Sequence, residues 1–307
     1  MNARDELQPD WIRPFGATGL SVSALGFGAM HFDGLEDETA VGRLLNGVLD
    51  AGLTLIDTAR GYGRSEARIG QHLAHRRRDF VLSTKFGYGV EGVPDWTYDC
   101  IVQGVERALR LMRTEVIDVG HLHSCPLDVL QRGEVSQALA DCVRAGKLRV
   151  AAYSGENAEL AHALADDRFA AVQCSLSLVD RANAPQVAAT PKGVLVKRAL
   201  AGRAWARPQR PEDFCEGQYW DRWQALGLSA GQAADLDADL KADWPALALR
   251  FAAFAPGVSS VLVGSQRLDN LRALQAAWAQ GPLPAAWLQD SEARWRSAGG
   301  PHWPGLV

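Results

Sequence analysis

Three apolar runs early in this 307-residue chain end on side chains that hold or move protons. The stretch Thr54-Leu55-Ile56-Asp57-Thr58-Ala59-Arg60-Gly61-Tyr62-Gly63-Arg64-Ser65-Glu66 opens as a strand and puts a carboxylate where that strand ends. It then presents a phenol between two glycines, just before a helix-forming segment. Ser83-Thr84-Lys85 closes the next run with an ammonium, and His121-Leu122-His123-Ser124 closes the one after with imidazoles. Taken singly, each has an ordinary structural reading: Asp57 as a turn or cap residue, Tyr62 as a loop aromatic, Lys85 as a solvated strand end, His123 as a core histidine. Their recurrence at successive strand ends reads instead as a site for acid and base chemistry. His121 shares a face with His123 by the two-residue strand period and reads as a core residue one layer below it. A His-x-His pair can also hold a metal, but strands five to eight offer no histidine or end carboxylate to complete a ligand set, so no metal is expected.

The elements that must position these groups alternate regularly. Residues 14–22 read as a small hairpin able to plug one end of a barrel, and 23–30 as the first core strand, with glycines for close backbone approach. Apolar residues at helical spacing follow over 37–51, with Gly52 as the C-terminal cap. Strands are expected at 54–58, 80–85, 116–123, 148–154, 171–178, 194–200 and 260–264. The helices between and after them fall at 65–74, 97–112, 127–145, 158–164, 182–189, up to 255, and 268–279. A Trp-rich segment over 202–228 has no clear periodicity. Eight strand–helix units of near-continuous apolar strands predict an α/β fold, a (β/α)8 TIM barrel with an N-terminal β-hairpin. It forms a single domain over 1–307, with a core from 13 to 285 and tails at 1–10 and 286–307. No GxGxxG or GxxxxGK[ST] stands at a strand-to-helix turn, which disfavours a doubly wound sheet. In a barrel, catalytic groups sit at the C-terminal ends of strands, where Asp57, Lys85 and His123 fall on strands two, three and four.

Composition agrees. With 47% hydrophobic residues the chain can bury a large core, and a net charge of −4 without a basic stripe excludes nucleic acid as a partner. No apolar stretch is long enough to span a membrane, and the acidic, polar start is unlike a signal peptide, so a cytoplasmic location is expected. The five cysteines are widely spaced and read as reduced packing residues. Cys125, two residues past His123, is the one nearest the site.

The pattern Asp57-Thr58-Ala59-x-x-Tyr62-Gly63-x-Ser65-Glu66, then Ser83-Thr84-Lys85-Phe86-Gly87, then Asp118-x-x-x-x-His123, resembles the aldo-keto reductases at all four catalytic positions. The resemblance runs from about Arg13 to Leu274 and includes Gly146-Lys147-Leu148-Arg149 and Val261-Leu262-Val263-Gly264-Ser265. It implies an oxidoreductase reducing aldehyde or ketone carbonyls to alcohols by hydride transfer from NAD(P)H. Tyr62 would be the general acid, Lys85 and Asp57 its tuning pair, and His123 would orient the carbonyl. It further implies cofactor contacts from Gly28, Met30, Asp57, Ser154, Gln173, Arg198, Leu200, Gly264, Ser265 and Arg267, with NADP(H) favoured over NAD(H). The residue types make chemical sense. A free phenol, with a pKa of about 10, is too weak an acid at neutral pH. A neighbouring ammonium lowers that pKa, and a carboxylate keeps a buried ammonium charged.

Four features depart from the family pattern. Ser154-Gly155 stands for the common Ser-Asn, Lys197 stands where many members stack a Tyr under the nicotinamide, and Leu274 replaces an Asn after strand eight. The Trp-rich segment is the fourth. Phe32, Trp96, Trp205, Tyr219, Trp220 and Trp223 fall in loops beyond the strands, which points to aryl or medium-chain carbonyl substrates unless they only pack the long segment down. A nicotinamide-nucleotide-binding regulatory or partner barrel with little activity stays open as an alternative, and a metal-dependent barrel hydrolase as a weaker one.

Overall fold

The computed structural model describes residues 10–228 and 243–307. Apart from Asp10, the expected N-terminal tail lies outside them. Two short antiparallel strands, β1 (Ile12–Pro14) and β2 (Ser21–Ser23), form the hairpin. Eight parallel strands then close a barrel: β3 (Leu25–Gly28), β4 (Leu55–Asp57), β5 (Val81–Phe86), β6 (Ile117–His123), β7 (Leu148–Ser154), β8 (Ala171–Ser175), β9 (Gly193–Lys197) and β10 (Ser260–Val263), with β10 pairing back onto β3. The hairpin plugs the barrel floor. Phe15, Leu20 and Val22 cluster with the inward-facing Leu55, Val119, Val150, Ala152, Ala171 and Leu195.

Outside the strands lie α1 (Glu38–Asp50), α2 (Ser65–Leu73), α3 (Tyr98–Leu111), α4 (Leu127–Arg132), α5 (Glu134–Arg144), α6 (Asn157–Ala165), α7 (Ala184–Ala189), α8 (Phe214–Ala225), α9 (Trp244–Ala253), α10 (Leu268–Trp278) and α11 (Ala285–Ser297). Their apolar faces and the outer faces of the strands form the main core. The single helix expected over 127–145 is two, because Gly133 takes φ +77° and ends α4 as a left-handed cap before α5 starts.

The segment read as a C-terminal tail is not one. Trp287, Ser291 and Trp295 recur every fourth residue along α11 and are buried, and Leu306 is buried as well. Trp287, Trp295 and Leu306 join Tyr219, Trp223, Trp244 and Leu247 in a second cluster. That cluster is also where much of the Trp-rich segment goes: a 3-10 turn (Ala201–Ala206) and α8 bring Trp205, Tyr219 and Trp223 into it with residues of α9 and α11, and Trp223 stands edge-on to Trp244 at 4.7 Å. Among the described residues no helix is long and apolar enough to cross a membrane.

The register shows how the barrel gathers its mouth. Asp57 pairs with Ser83, Lys85 with His121, and His123 with Ser154, which pairs with Gln173. Each step from β4 to β6 therefore moves the inward-facing residue at the rim two positions along the next strand, the stagger that tilted strands impose.

Candidate active site

Lys85 lies at the bottom of the mouth, 1% exposed, with its Nζ donating to Asp57 Oδ2 at 2.6 Å and to Thr58 O at 2.8 Å. Asp57 Oδ1 accepts from Ser83 Oγ at 2.7 Å and from Gln173 Nε2 at 3.0 Å. Both carboxylate oxygens thus have donors, as a buried charge requires. Burial works against charge on each partner. Lys85, with His121 and Ser83, nonetheless holds Asp57 below its ordinary pKa, and Asp57 and Tyr62 hold Lys85 above its own. The two stay an ion pair, as read from the sequence.

Tyr62 sits in the turn beyond β4, its ring centroid 5.0 Å from Lys85 Nζ and edge-on to the His123 ring at 6.1 Å. The four catalytic candidates therefore surround one point at the mouth. Burial, with the charges of Lys85 and Lys197, lowers His123 to about 3, so its imidazole is neutral. His121 is fully buried one layer down, as expected, and burial lowers it to about 4. Ser83 gives its one proton to Asp57, so His121 Nε2, 3.0 Å from Ser83 Oγ, is the donor in that contact. Engaged with a hydroxyl in this way, His121 is not set up as a metal ligand.

Both histidines make stability depend on pH. Their folded pKa values lie below the ordinary 6.5, so on acidification the unfolded chain takes up protons first and stability falls from pH 6.5 towards 4. The slope is about 1.4 kcal/mol per pH unit for each histidine. Denaturant titrations at several pH values check this, and His121→Asn is expected to reduce the slope by about half on the same arithmetic.

The cofactor candidates form two groups. Ser154 Oγ donates to Gln173 Oε1 at 3.0 Å, which ties that pair to Asp57 and the catalytic cluster. Gly28 pairs with Asp57 on the adjoining strand, and Met30 just beyond it is 54% exposed at the rim. The second group is the turn from β10 into α10. Ser265 Oγ accepts from Arg267 N at 3.0 Å and from Asn270 Nδ2 at 3.1 Å, and the Arg267 side chain is exposed. Arg198, at φ +58°, donates to Leu306 O at 2.5 Å, and Leu200 packs between the two clusters.

This donor set fits a nicotinamide nucleotide. Ser154 and Gln173 offer a hydroxyl and an amide to a carboxamide. Arg267 and Asn270 offer donors to a phosphate at the start of an 11-residue helix, in a turn that Ser265 holds by donating its hydroxyl to Arg267 O at 3.0 Å. The rim at Gly28 is open, since a Cβ there would meet nothing closer than 3.8 Å. Lys197 does not offer a stacking surface; its ammonium is paired with Glu156 at 3.1 Å. Leu274 is a buried core residue.

Three residues were missed from the sequence. Glu156 is buried and gathers Ser175, Asn183 and Lys197. A carboxylate two residues past the end of strand five was the available signal. Asn270 stands four residues before the position where an Asn was sought. Tyr88, three residues past Lys85, hydrogen-bonds His123 Nδ1 at 2.8 Å. Of the loop aromatics expected at the mouth, Phe32 is in the main core and Tyr219 and Trp223 are in the second cluster. Trp96 stands edge-on to Tyr88 at 6.0 Å. Cys125 is buried and its thiol is pushed up to about 12 by burial, so it is no nucleophile.

Residues 24–293 match the sequence profile described as the Aldo/keto reductase family. The chain belongs to that family. It is a carbonyl-reducing oxidoreductase, and this aldo-keto reductase, like the family at large, works with a nicotinamide cofactor. Its solved likenesses include the aldo-keto reductase AKR11C1 from Bacillus halodurans in holo form, at 25% identity and a TM-score of 0.78, covering 92% of this chain and 95% of that one. The uncharacterized oxidoreductase YqkF of Bacillus subtilis is 24% identical over 86% of this chain and 90% of its own length. A 6-dehydroglucose reductase of Novosphingobium aromaticivorans is 28% identical over 46% of this chain and 50% of its own.

Proposed function

We propose that this aldo-keto reductase reduces an aldehyde or ketone with NADPH in preference to NADH, with Tyr62 as proton donor. The observation that carries the reading is the buried Asp57–Lys85 pair set beneath Tyr62 and His123. When bound, the nicotinamide supplies the hydride. The chain's own residues handle the rest. As negative charge develops on the carbonyl oxygen, the Tyr62 hydroxyl gives up its proton, and Lys85 stabilises the phenolate left behind. Asp57 keeps Lys85 charged through the cycle. Neutral His123 offers a hydrogen bond to the same oxygen. Ser154 and Gln173 would hold the carboxamide of the bound nicotinamide.

The NADPH preference rests on Arg267 and Asn270, in the turn held by Ser265, which suit a 2′-phosphate at the start of α10. Aryl or medium-chain aldehydes are proposed over phosphorylated or acidic sugars, on Tyr88 and Trp96 at the mouth. The test is a panel of such carbonyl compounds, with neutral sugar aldehydes included because of the sugar-named relative, followed by absorbance of the reduced cofactor. Turnover with NADPH above NADH, and an Arg267→Ala variant that loses about tenfold in NADPH affinity but little in NADH affinity, is the expected result for one charged phosphate contact. A wild type that prefers NADH would refute the cofactor assignment.

A further inference from the structure

Tyr88 lies in the loop after β5 and makes two contacts with His123: its hydroxyl is 2.8 Å from Nδ1, and the rings stack at 5.6 Å and 25°. The loop is shaped to hold it there. Trp96 N donates to Gly87 O at 2.7 Å and Gly89 N to Asp95 Oδ1 at 2.7 Å, which closes the loop on itself. Gly87 has φ +143°, and a Cβ on it would lie 2.1 Å from the Trp96 ring that abuts Tyr88. A Cβ on Gly61, next to Tyr62, would stand 3.1 Å from the Tyr88 hydroxyl, so the glycine there leaves that oxygen its place.

The protons in this contact can be counted. A neutral imidazole carries one N–H, on either Nδ1 or Nε2, and a phenol carries one O–H. Among the described residues, His123 Nδ1 is the acceptor within reach of the Tyr88 hydroxyl. Were Nδ1 the protonated nitrogen, the bond would run from a weaker donor, the imidazole N–H, to a weaker acceptor, the phenol oxygen, whereas the other tautomer pairs the phenol O–H with the imidazole lone pair. The hydroxyl therefore donates, Nδ1 accepts, and the imidazole proton sits on Nε2. We propose that Tyr88 is a positioning residue that fixes the Nε2–H tautomer and the ring plane of His123, so that Nε2 presents a donor to the substrate carbonyl. The inference rests on the function proposed above for His123. It adds that the residue three places past the catalytic lysine sets the state in which His123 works.

The test is nitrogen-15 spectroscopy of the full-length protein labelled at histidine, near neutral pH, combined with kinetics of Tyr88→Phe. The wild type is expected to show His123 as the Nε2–H tautomer, with Nδ1 shifted as a hydrogen-bond acceptor. Tyr88→Phe keeps the stacked ring and is expected to lose that acceptor shift, populate the second tautomer, and lower kcat by about tenfold, the effect of one hydrogen bond. Cofactor KM should stay unchanged. His121, in the same spectrum, reports that the barrel is intact. A wild-type His123 protonated on Nδ1 would overturn the proposal, as would a Phe variant with an unchanged His123 spectrum or an unchanged kcat. The tautomer is read without turnover. If the carbonyl chemistry itself is wrongly assigned, the Tyr62 variant keeps its activity while the His123 spectrum still answers the question about Tyr88.

Discussion

Tyr62→Phe lowers kcat by about 10²–10⁴-fold, the range removed with a positioned general acid, while the affinity for NADPH stays within about twofold. The two readouts separate because the substitution removes one oxygen and keeps the ring. Lys85 Nζ lies 5.0 Å from the Tyr62 ring centroid and the His123 ring meets it edge-on, so the packing that holds the loop survives in Phe. The lost interaction exists only while the alkoxide forms, so the deficit appears in kcat and in kcat/KM alike. Steady-state kinetics on one good aldehyde, with cofactor binding followed by tryptophan fluorescence, measures both. A variant that retained half of the wild-type turnover would remove Tyr62 from the mechanism.

Lys85→Met is expected to cost both activity and stability. The loss of turnover should at least match about 10²-fold, since the ammonium proposed to stabilise the phenolate formed on Tyr62 is gone. The stability change follows from burial. Asp57 is 3% exposed and would keep its bonds from Ser83 and Gln173 but lose its counter-charge. Removing one partner of a buried pair costs about 3–5 kcal/mol. The pH dependence should change sign as well. In the wild type the Asp57 pKa is depressed, so its contribution is present above the unfolded pKa and lost as pH falls through the folded one. Without Lys85, burial raises that pKa, and stability is then lost as pH rises through it. Denaturant titrations at acid and alkaline pH distinguish the two cases. The double variant Asp57→Asn/Lys85→Met should recover most of the stability and none of the turnover. A single variant as stable as the wild type at alkaline pH would show that Asp57 does not depend on Lys85 for its charge.

The sequence by itself determined the alternation of strands and helices, and with it the barrel. Strand period and helix period are local signals, and an apolar strand buried on both faces leaves few other folds. It also pointed to the four catalytic candidates that the structure brings together. Asp57 and His123 end their strands and Lys85 stands one residue before the end of its own, and the C-terminal ends of barrel strands converge whatever the loops do. The hairpin was legible for the same local reason.

Tertiary structure decided what depends on contacts between residues far apart in the chain. The pair Glu156–Lys197 joins the ends of β7 and β9, two strands apart in the ring, and the sequence gives no cue that a carboxylate on one meets an ammonium on the other. The aromatic residues after strand seven carry no period, so whether they line the mouth or pack was undetermined until α9 and α11 supplied a second core for Tyr219 and Trp223. The helix over Ala285–Ser297 had its fourfold spacing in plain view, but a helix without a known surface to cover does not reveal that it is buried. Tyr88 was invisible for the plainest reason. A single aromatic residue in a loop has no pattern, and only the closing of that loop around Trp96 brings its hydroxyl to His123.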